Sequence, residues 1–273
     1  RKLEDLKNKK KKVKALIVTD YAGQMCDWEK IKKLSKKFKF FTINDNCHSL
    51  GSKYKNDQGY AVKFADIVTH SFHPVKIITT GEGGCLSTNN FDIYKKALEL
   101  RSHGVIRSDK LKKKYGNWFY SMVRLGYNYR MPDINASLGI SQLKKIKKFI
   151  LKRKSIAKDY FQGFRNNKNI VLPFIENFCD HSFHLFPIQI KFKKLKISKK
   201  IFFDKMLKHN INLQVHYIPI YLQKYYKEKF KFRKNMLSEA ENFYSNAVSL
   251  PIYYSLDKKK IQKIIKNINL LTQ

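Results

Sequence analysis

One lysine in this 273-residue chain sits in a setting unlike the others. Lys76 lies between Val75 and Ile77 in the run Ser71-Phe72-His73-Pro74-Val75-Lys76-Ile77-Ile78-Thr79-Thr80-Gly81-Glu82-Gly83-Gly84. Partial burial disfavours an ammonium ion and makes the neutral amine available as a nucleophile. The glycines that follow let backbone approach a ligand closely. No Gly-Lys-Ser/Thr follows, which excludes a P-loop. A second segment, Asn44-Asp45-Asn46-Cys47-His48-Ser49-Leu50-Gly51, follows a short apolar stretch. A carboxylate just beyond a strand's carboxyl end is where open α/β sheets bind ligands; taken alone, Asp45 reads as a turn cap. A third segment, Arg124-Leu125-Gly126-Tyr127-Asn128-Tyr129-Arg130-Met131-Pro132, is a loop bounded by Gly and Pro. By itself Asn128 reads as a turn residue.

The elements that must position these residues follow from periodicity. Helix is predicted over 3–12, 27–38 and 90–101, and strand over 13–19, 40–43, 66–72 and 84–87. The continuous apolar run at 13–19 reads as a buried parallel strand. Alternating strands and helices imply an α/β layer with a mainly parallel sheet. Pro132-Asp133 opens a helix expected to run unbroken to about Phe164, its stripe carried by Leu143, Ile146, Phe149 and Ile150. Beyond it come a strand over 183–192, a helix over 198–209, a strand over 212–216 and two final helices, the last with Ile261, Ile264, Ile265 and Ile268 on one face. This second part reads as a smaller α+β unit.

The net charge is +36, from 57 Lys and Arg against 21 Asp and Glu. Only eight of the basic residues are Arg, whereas base and phosphate readers favour the Arg fork. The lysines are spread along the whole chain among Ile, Asn, Phe and Tyr, a bias that an AT-rich genome produces. They read as solvated faces, and no specific nucleic-acid partner is expected. No apolar run is long enough to span a bilayer, and the charged stretch at 1–14 is not a signal peptide. Four scattered cysteines without a Cys-x-x-Cys pair point to no disulfide framework, no metal site and a cytoplasmic setting.

Together the three segments resemble the DegT/DnrJ/EryC1/StrS family of sugar aminotransferases. The resemblance runs from Ala15 to Leu271 and also rests on Arg101-Ser102-His103-Gly104, GYNYRMPDINASLGISQL from Gly126, HYIPIYLQKYY from His216 and SLPIYYSL from Ser249. DYAGQMCDWEKI (20–31), HSFHPVK and NWFYSMVRLGYNYR narrow it to the subgroup that aminates C4 of a UDP-linked 4-keto-6-deoxy-amino-sugar in pseudaminic acid biosynthesis. What the resemblance implies is a type I aminotransferase fold: a mainly parallel central sheet with helices on both faces, plus a smaller C-terminal α+β domain. Residues 1–145 would form the C-terminal part of the cofactor-binding large domain and 146–273 the small domain.

The resemblance also implies roles. Lys76 matches the lysine that bonds covalently to pyridoxal 5'-phosphate, Asp45 the carboxylate facing the pyridine nitrogen, and His48 a group near the ring's phenolic oxygen. Ser71 matches the serine on the cofactor phosphate, and Asn128 an asparagine reaching that phosphate from a neighbouring subunit of a homodimer. His216, Tyr217, Ile218 and Pro219 lie where the family contacts its nucleotide sugar; glutamate would be the amino donor. Members carry a further segment ahead of the Leu3 helix that completes the phosphate cup, so this chain, which opens with Arg1, is expected to hold an incomplete site. The alternatives are a family aminotransferase on another nucleotide keto-sugar, a relative that dehydrates its sugar and lacks the lysine, and a polybasic, non-catalytic fragment.

Dispersed lysine charge releases counterions without reading bases. Binding to duplex DNA should therefore fall steeply with salt and show no sequence preference in a filter-binding titration. A sequence-specific complex at physiological salt would contradict the reading of the lysines as solvated faces.

Overall fold

A computed structural model describes residues 2–273. The chain forms two compact units. Unit 1 comprises residues up to Tyr21, Met25–Ile146 and Phe178–Asp180; unit 2 comprises Ala22–Gln24, Lys147–Asn177 and His181–Gln273.

Unit 1 begins with α1 (Lys2–Asn8), β1 (Ala15–Thr19), α2 (Trp28–Phe38), β2 (Phe41–Asp45), β3 (Lys53–Tyr54), α3 (Tyr60–Phe64), β4 (Ile67–Ser71) and β5 (Gly84–Ser87). It continues with α4 (Phe91–Arg101), β6 (Val105–Ile106), α5 (Asp109–Tyr115), β7 (Ser121–Met122) and α6 (Asp133–Leu143). The main sheet has the order β1-β2-β4-β5, with β1, β2 and β4 parallel and β5 antiparallel to β4. Side-chain caps start three of the helices: Asp27 accepts from the Lys30 amide, Asn90 from Asp92 and Ile93, and Ser108 from Leu111. One face of the sheet is covered. Val68 packs there with Met25 and Trp28 at the start of α2, and with Tyr60 and Ala61 of α3. The opposite face carries Ile17 (68 % exposed) and Phe41 (60 % exposed). The apolar run at 13–19 is thus not a strand buried throughout. It begins at Ala15, lies at the sheet's edge and alternates in burial, because β1 has a ladder partner on one side and cover on one face.

The long helix expected from Pro132 is two helices. α6 ends at Leu143 and α7 runs from Ile146 to Phe164. Neither Pro nor Gly breaks it. Instead the Lys145 amide bonds the Gln142 carbonyl, a three-residue step that tightens the last turn and interrupts the four-residue ladder.

Unit 2 takes in most of α7, then β8 (Ile170–Val171). The intervening β9 (Cys179–Asp180) pairs with β3 and belongs to unit 1. β10 (Phe186–Ile190), α8 (Lys199–Lys208), α9 (Lys224–Phe230), α10 (Ser238–Asn246), β11 (Ala247–Leu250) and α11 (Lys258–Thr272) complete it. β10 is flanked by β11 and β8, both antiparallel to it. The strand expected over 212–216 is a single bridge, in which Gln214 exchanges two backbone bonds with Ser249, and the ladder stops there. Ile261, Ile264, Ile265 and Ile268 of α11 are buried as their spacing predicts. Gly163 lets α11 lie close, since a Cβ there would come within 2.6 Å of Ile265.

Arg153 of α7 is 6 % exposed, and its Nη1 donates to the carbonyls of Phe183 (3.1 Å), His184 (3.1 Å) and Ile252 (2.8 Å). Burial lowers its pKa to about 10, a desolvation cost that the three acceptors offset. Arg153→Leu would leave buried carbonyls unpaired and should destabilise unit 2 by about 3 kcal/mol. Hydrogen exchange of the β10 amides in urea measures this, and unchanged protection would show that the guanidinium is dispensable.

Candidate active site

The carboxyl ends of β1, β2 and β4 carry the residues with chemical potential. Asp45 ends β2 and is half-buried, with Oδ1 accepting the Cys47 amide at 3.2 Å. It is in register with Thr19 of β1 and Thr69 of β4. By strand alternation it shares the open face with Phe41 and Ile43, while Asn44 points to the covered face. Ser71 ends β4, and its Oγ accepts the His73 amide at 3.3 Å.

Lys76 sits in a loop closed on itself by backbone bonds. The Phe72 amide donates to Gly83 O (2.8 Å), Thr80 to Phe72 O (3.0 Å) and Lys76 to His73 O (2.9 Å). Ile77 and Ile78 are buried and anchor the loop, whereas Val75 is exposed. Asn135 of α6 pins it further, with Nδ2 donating to Thr80 O at 2.5 Å. Lys76 itself is half-buried, and no ion pair engages its Nζ among the described residues.

Asp45 and Lys76 both act on the charge state of one sulfur. The Cys47 thiol is pushed up to about 11, first by burial, then by its hydrogen bond to Asp45 and that carboxylate's charge; the charge of Lys76 pulls it down. His70 lies in the same neighbourhood. Burial holds its imidazole below the ordinary value while Asp45 pulls the other way, and its buried Nδ1 has no hydrogen-bond partner. His48 is 6 % exposed, and its ring lies 5.9 Å from that of Tyr21 at 50°.

Asn128 is not part of this cluster. It is exposed and bridges to Ser102, where the 101–104 and 126–130 segments pair through His103 N–H to Tyr127 O (2.8 Å) and Tyr129 N–H to Arg101 O (2.9 Å). Gly104, at φ 67°, is required there because a Cβ would collide with the Arg124 carbonyl. Tyr127 and Tyr129 stack at 4.8 Å and 5° on the outer surface. His216, Tyr217, Ile218 and Pro219 belong to unit 2. His216 Nδ1 meets Ser249 Oγ at 2.8 Å, and Tyr217 and Ile218 are exposed.

Sequence reasoning passed over Asp20 as a site residue. It follows β1 and is fully buried, accepting from Cys26 N–H, Trp28 Nε1, Asn44 Nδ2, Asn46 Nδ2 and Tyr60 OH.

The residues present fit pyridoxal phosphate. Lys76 offers an amine free of ion pairs for its aldehyde, Asp45 a carboxylate for a basic ring nitrogen, and Ser71 a hydroxyl at a strand's carboxyl end. Asp45 and Lys76 stand within electrostatic reach of the same thiol.

The chain is similar to several known sugar aminotransferases. A UDP-4-amino-4,6-dideoxy-N-acetyl-beta-L-altrosamine transaminase of Campylobacter jejuni is 37 % identical over 250 residues, covering 90 % of this chain and 62 % of its own length. The uncharacterized protein MJ1066 of Methanocaldococcus jannaschii is 35 % identical over 258 residues, covering 94 % of this chain and 66 % of its own. The chain thus spans about two thirds of the length of the curated relatives it matches. Helicobacter pylori PseC, an aminotransferase in the biosynthesis of pseudaminic acid, superposes with a TM-score of 0.86 at 32 % identity, over 95 % of this chain and 67 % of that one. The α/β aminotransferase fold expected from the sequence is the one found. With residues 2–269 matching the family's sequence profile, the chain belongs to the DegT/DnrJ/EryC1/StrS aminotransferase family.

Proposed function

We propose that the protein is a pyridoxal-phosphate-dependent transaminase that moves the amino group of glutamate to C4 of a UDP-linked 4-keto-6-deoxy-amino-sugar, with 2-oxoglutarate as the second product. The observation that carries the reading is that Asp45 ends β2 beside β4, while Lys76 follows the end of β4 within electrostatic reach of the same Cys47 thiol as Asp45. The similarity to a transaminase and to PseC supports the substrate class.

When bound, pyridoxal phosphate supplies an electron sink for the carbanion at the amino-bearing carbon. Lys76 Nζ would hold it covalently and, when released, would move a proton at the substrate carbon. Asp45 would favour a positive charge on the cofactor's ring, and His48 and Ser71 would help hold the ring and its phosphate. Asn128 reaches the phosphate in a second copy of the chain. The exposed apolar surface around it, with Leu125 82 % and Tyr129 70 % exposed, supports a homodimer. His216, Tyr217, Ile218 and Pro219 contact the nucleotide sugar. Residues 1–145 act as the cofactor domain and 146–273 as the small domain. A cytoplasmic setting belongs to the same reading, and the four free cysteines support it.

Borohydride reduction with pyridoxal phosphate, followed by peptide mass mapping, should place the adduct on Lys76. Asp45→Asn should retain cofactor yet lose on the order of a hundredfold or more in transamination, because a neutral partner no longer favours a protonated ring. An adduct on another lysine, with Lys76→Ala still active, would sink the assignment.

The shared site has its own test. Lys76→Ala and Asn128→Ala chains, each impaired alone, should partly recover activity on mixing, since one site of a mixed dimer receives both native residues. Demonstrated subunit exchange with no recovery would exclude Asn128 from the partner's site.

A further inference from the structure

We propose that Asp20 is the positioning residue of this site: its buried carboxylate and backbone clamp the segment 44–49 and thereby set the direction of Asp45 and the seating of His48. The inference rests on the role given above to Asp45, and extends it to a residue that touches neither cofactor nor substrate.

The clamp has attachments on both sides of Asp45. Asn44 Nδ2 and Asn46 Nδ2 donate to Asp20 Oδ2 at 3.1 and 3.2 Å. The Asp20 amide donates to the carbonyl of Asp45 itself at 3.1 Å. Further along, Ser49 Oγ donates to the Asp20 carbonyl at 2.9 Å, fixing the residue after His48. Successive strand residues point to opposite faces. Holding Asn44 and Asn46 on the Asp20 side therefore fixes the rotation of the strand about its axis, and Asp45 must project the other way. Asn44 has no competing anchor, for its Oδ1 is buried without a hydrogen-bond partner.

Asp20 is itself rigidly held. Trp28 Nε1 donates to both carboxylate oxygens at 3.0 and 3.1 Å, Tyr60 OH to Oδ2 at 2.8 Å and the Cys26 amide to Oδ1 at 2.9 Å. Tyr60 OH also accepts from Asn46 Nδ2 at 2.6 Å, closing a ring of bonds. Strand pairing alone does not call for this. The β1–β2 ladder already joins Thr19 to Asp45, and an apolar residue at position 20 would avoid the desolvation that pushes the Asp20 carboxyl above the usual carboxylate range. What the carboxylate adds is orientation of the two asparagines that flank Asp45.

The Cys47 thiol reports on Asp45 without cofactor, because the Asp45 carboxylate raises it. Alkylation of Cys47 by iodoacetamide, followed by mass mapping across pH 7–11, is compared in the parent chain, Asp20→Asn and Asn46→Ala. Asp45→Asn calibrates the loss of the carboxylate, and hydrogen exchange in β2 and β4 monitors folding. If Asp20 positions Asp45, both variants should alkylate several-fold faster at pH 9, up to about tenfold for a shift of one unit. They should also move the pH dependence of the absorbance of chain loaded with pyridoxal phosphate. Folded variants whose Cys47 profile and absorbance match the parent would overturn the proposal. Should Asp20→Asn not fold, Asn46→Ala decides by the same criteria, since it loosens the clamp and leaves the carboxylate in place. Failure of the underlying reading looks different: Asp45→Asn would then retain transamination while the Cys47 rates still respond to Asp20 and Asn46.

Discussion

A carboxylate sealed from water at the end of the first strand organises unit 1. Asp20 draws donors from the loop after it, from the first residue of α2, from both sides of Asp45 and from the first residue of α3. Each donor satisfies a group whose burial would otherwise cost about 1–3 kcal/mol. The donors share one buried acceptor, so each lost donor raises the cost of burying the carboxylate. Trp28 and Tyr60, two of the largest fully buried side chains, are core members and Asp20 ligands at once. The apolar packing under the sheet and the polar end of the sheet are therefore one construction, and the placement of Asp45 is a consequence of the core.

The lysine loop and the loop bearing Asn128 are built differently. Neither leans on a buried charge. The first closes through backbone bonds between Phe72, Thr80 and Gly83, with Ile77 and Ile78 as its apolar foot. The second is a backbone pairing of the 101–104 and 126–130 segments, close enough to exclude a Cβ at Gly104. Main-chain construction leaves the side chains free. Lys76 keeps Nζ clear of ion pairs, and Tyr127, Asn128 and Tyr129 project outward. A residue that must bond a ligand or meet another subunit gains from such a frame, because its own polar atoms are not consumed in holding the fold.

These differences explain which features were legible in the sequence. The helix starts at Asp27 and Asn90, and the isoleucine face of α11, depend on spacing within one element and were readable. The Lys76 loop announced itself because an isolated lysine and a glycine run are local features. The break at Lys144–Lys145 left no Pro or Gly to read, and arises from a shift in carbonyl choice at Gln142. The stretch 212–216 has the composition of a strand, yet whether it forms a ladder depends on how far β11 runs beside it, which no window of sequence contains. Asp20 was hidden for the same reason. Its donors lie between six and 40 residues away, so its importance is visible only once the strands are paired.

The scarcity of acid gives this placement its weight. With 21 Asp and Glu against 57 Lys and Arg, cations far outnumber acids on the surface, and the ion pairs at Lys30–Asp27, Lys37–Glu4 and Lys55–Glu29 are of an exposed kind. Such pairs contribute roughly 0–1 kcal/mol each and weaken with salt. The acids that shape unit 1 work otherwise. Asp20 is fully buried and held by neutral donors, and half-buried Asp45 takes the Cys47 amide. A charge buried as Asp20 is, and satisfied by neutral groups, is screened little by salt. At the carboxyl end of the sheet the Cys47 thiol feels both Asp45 and Lys76, and the buried Asp20 carboxylate is held by neutral donors rather than by any of the surplus lysines.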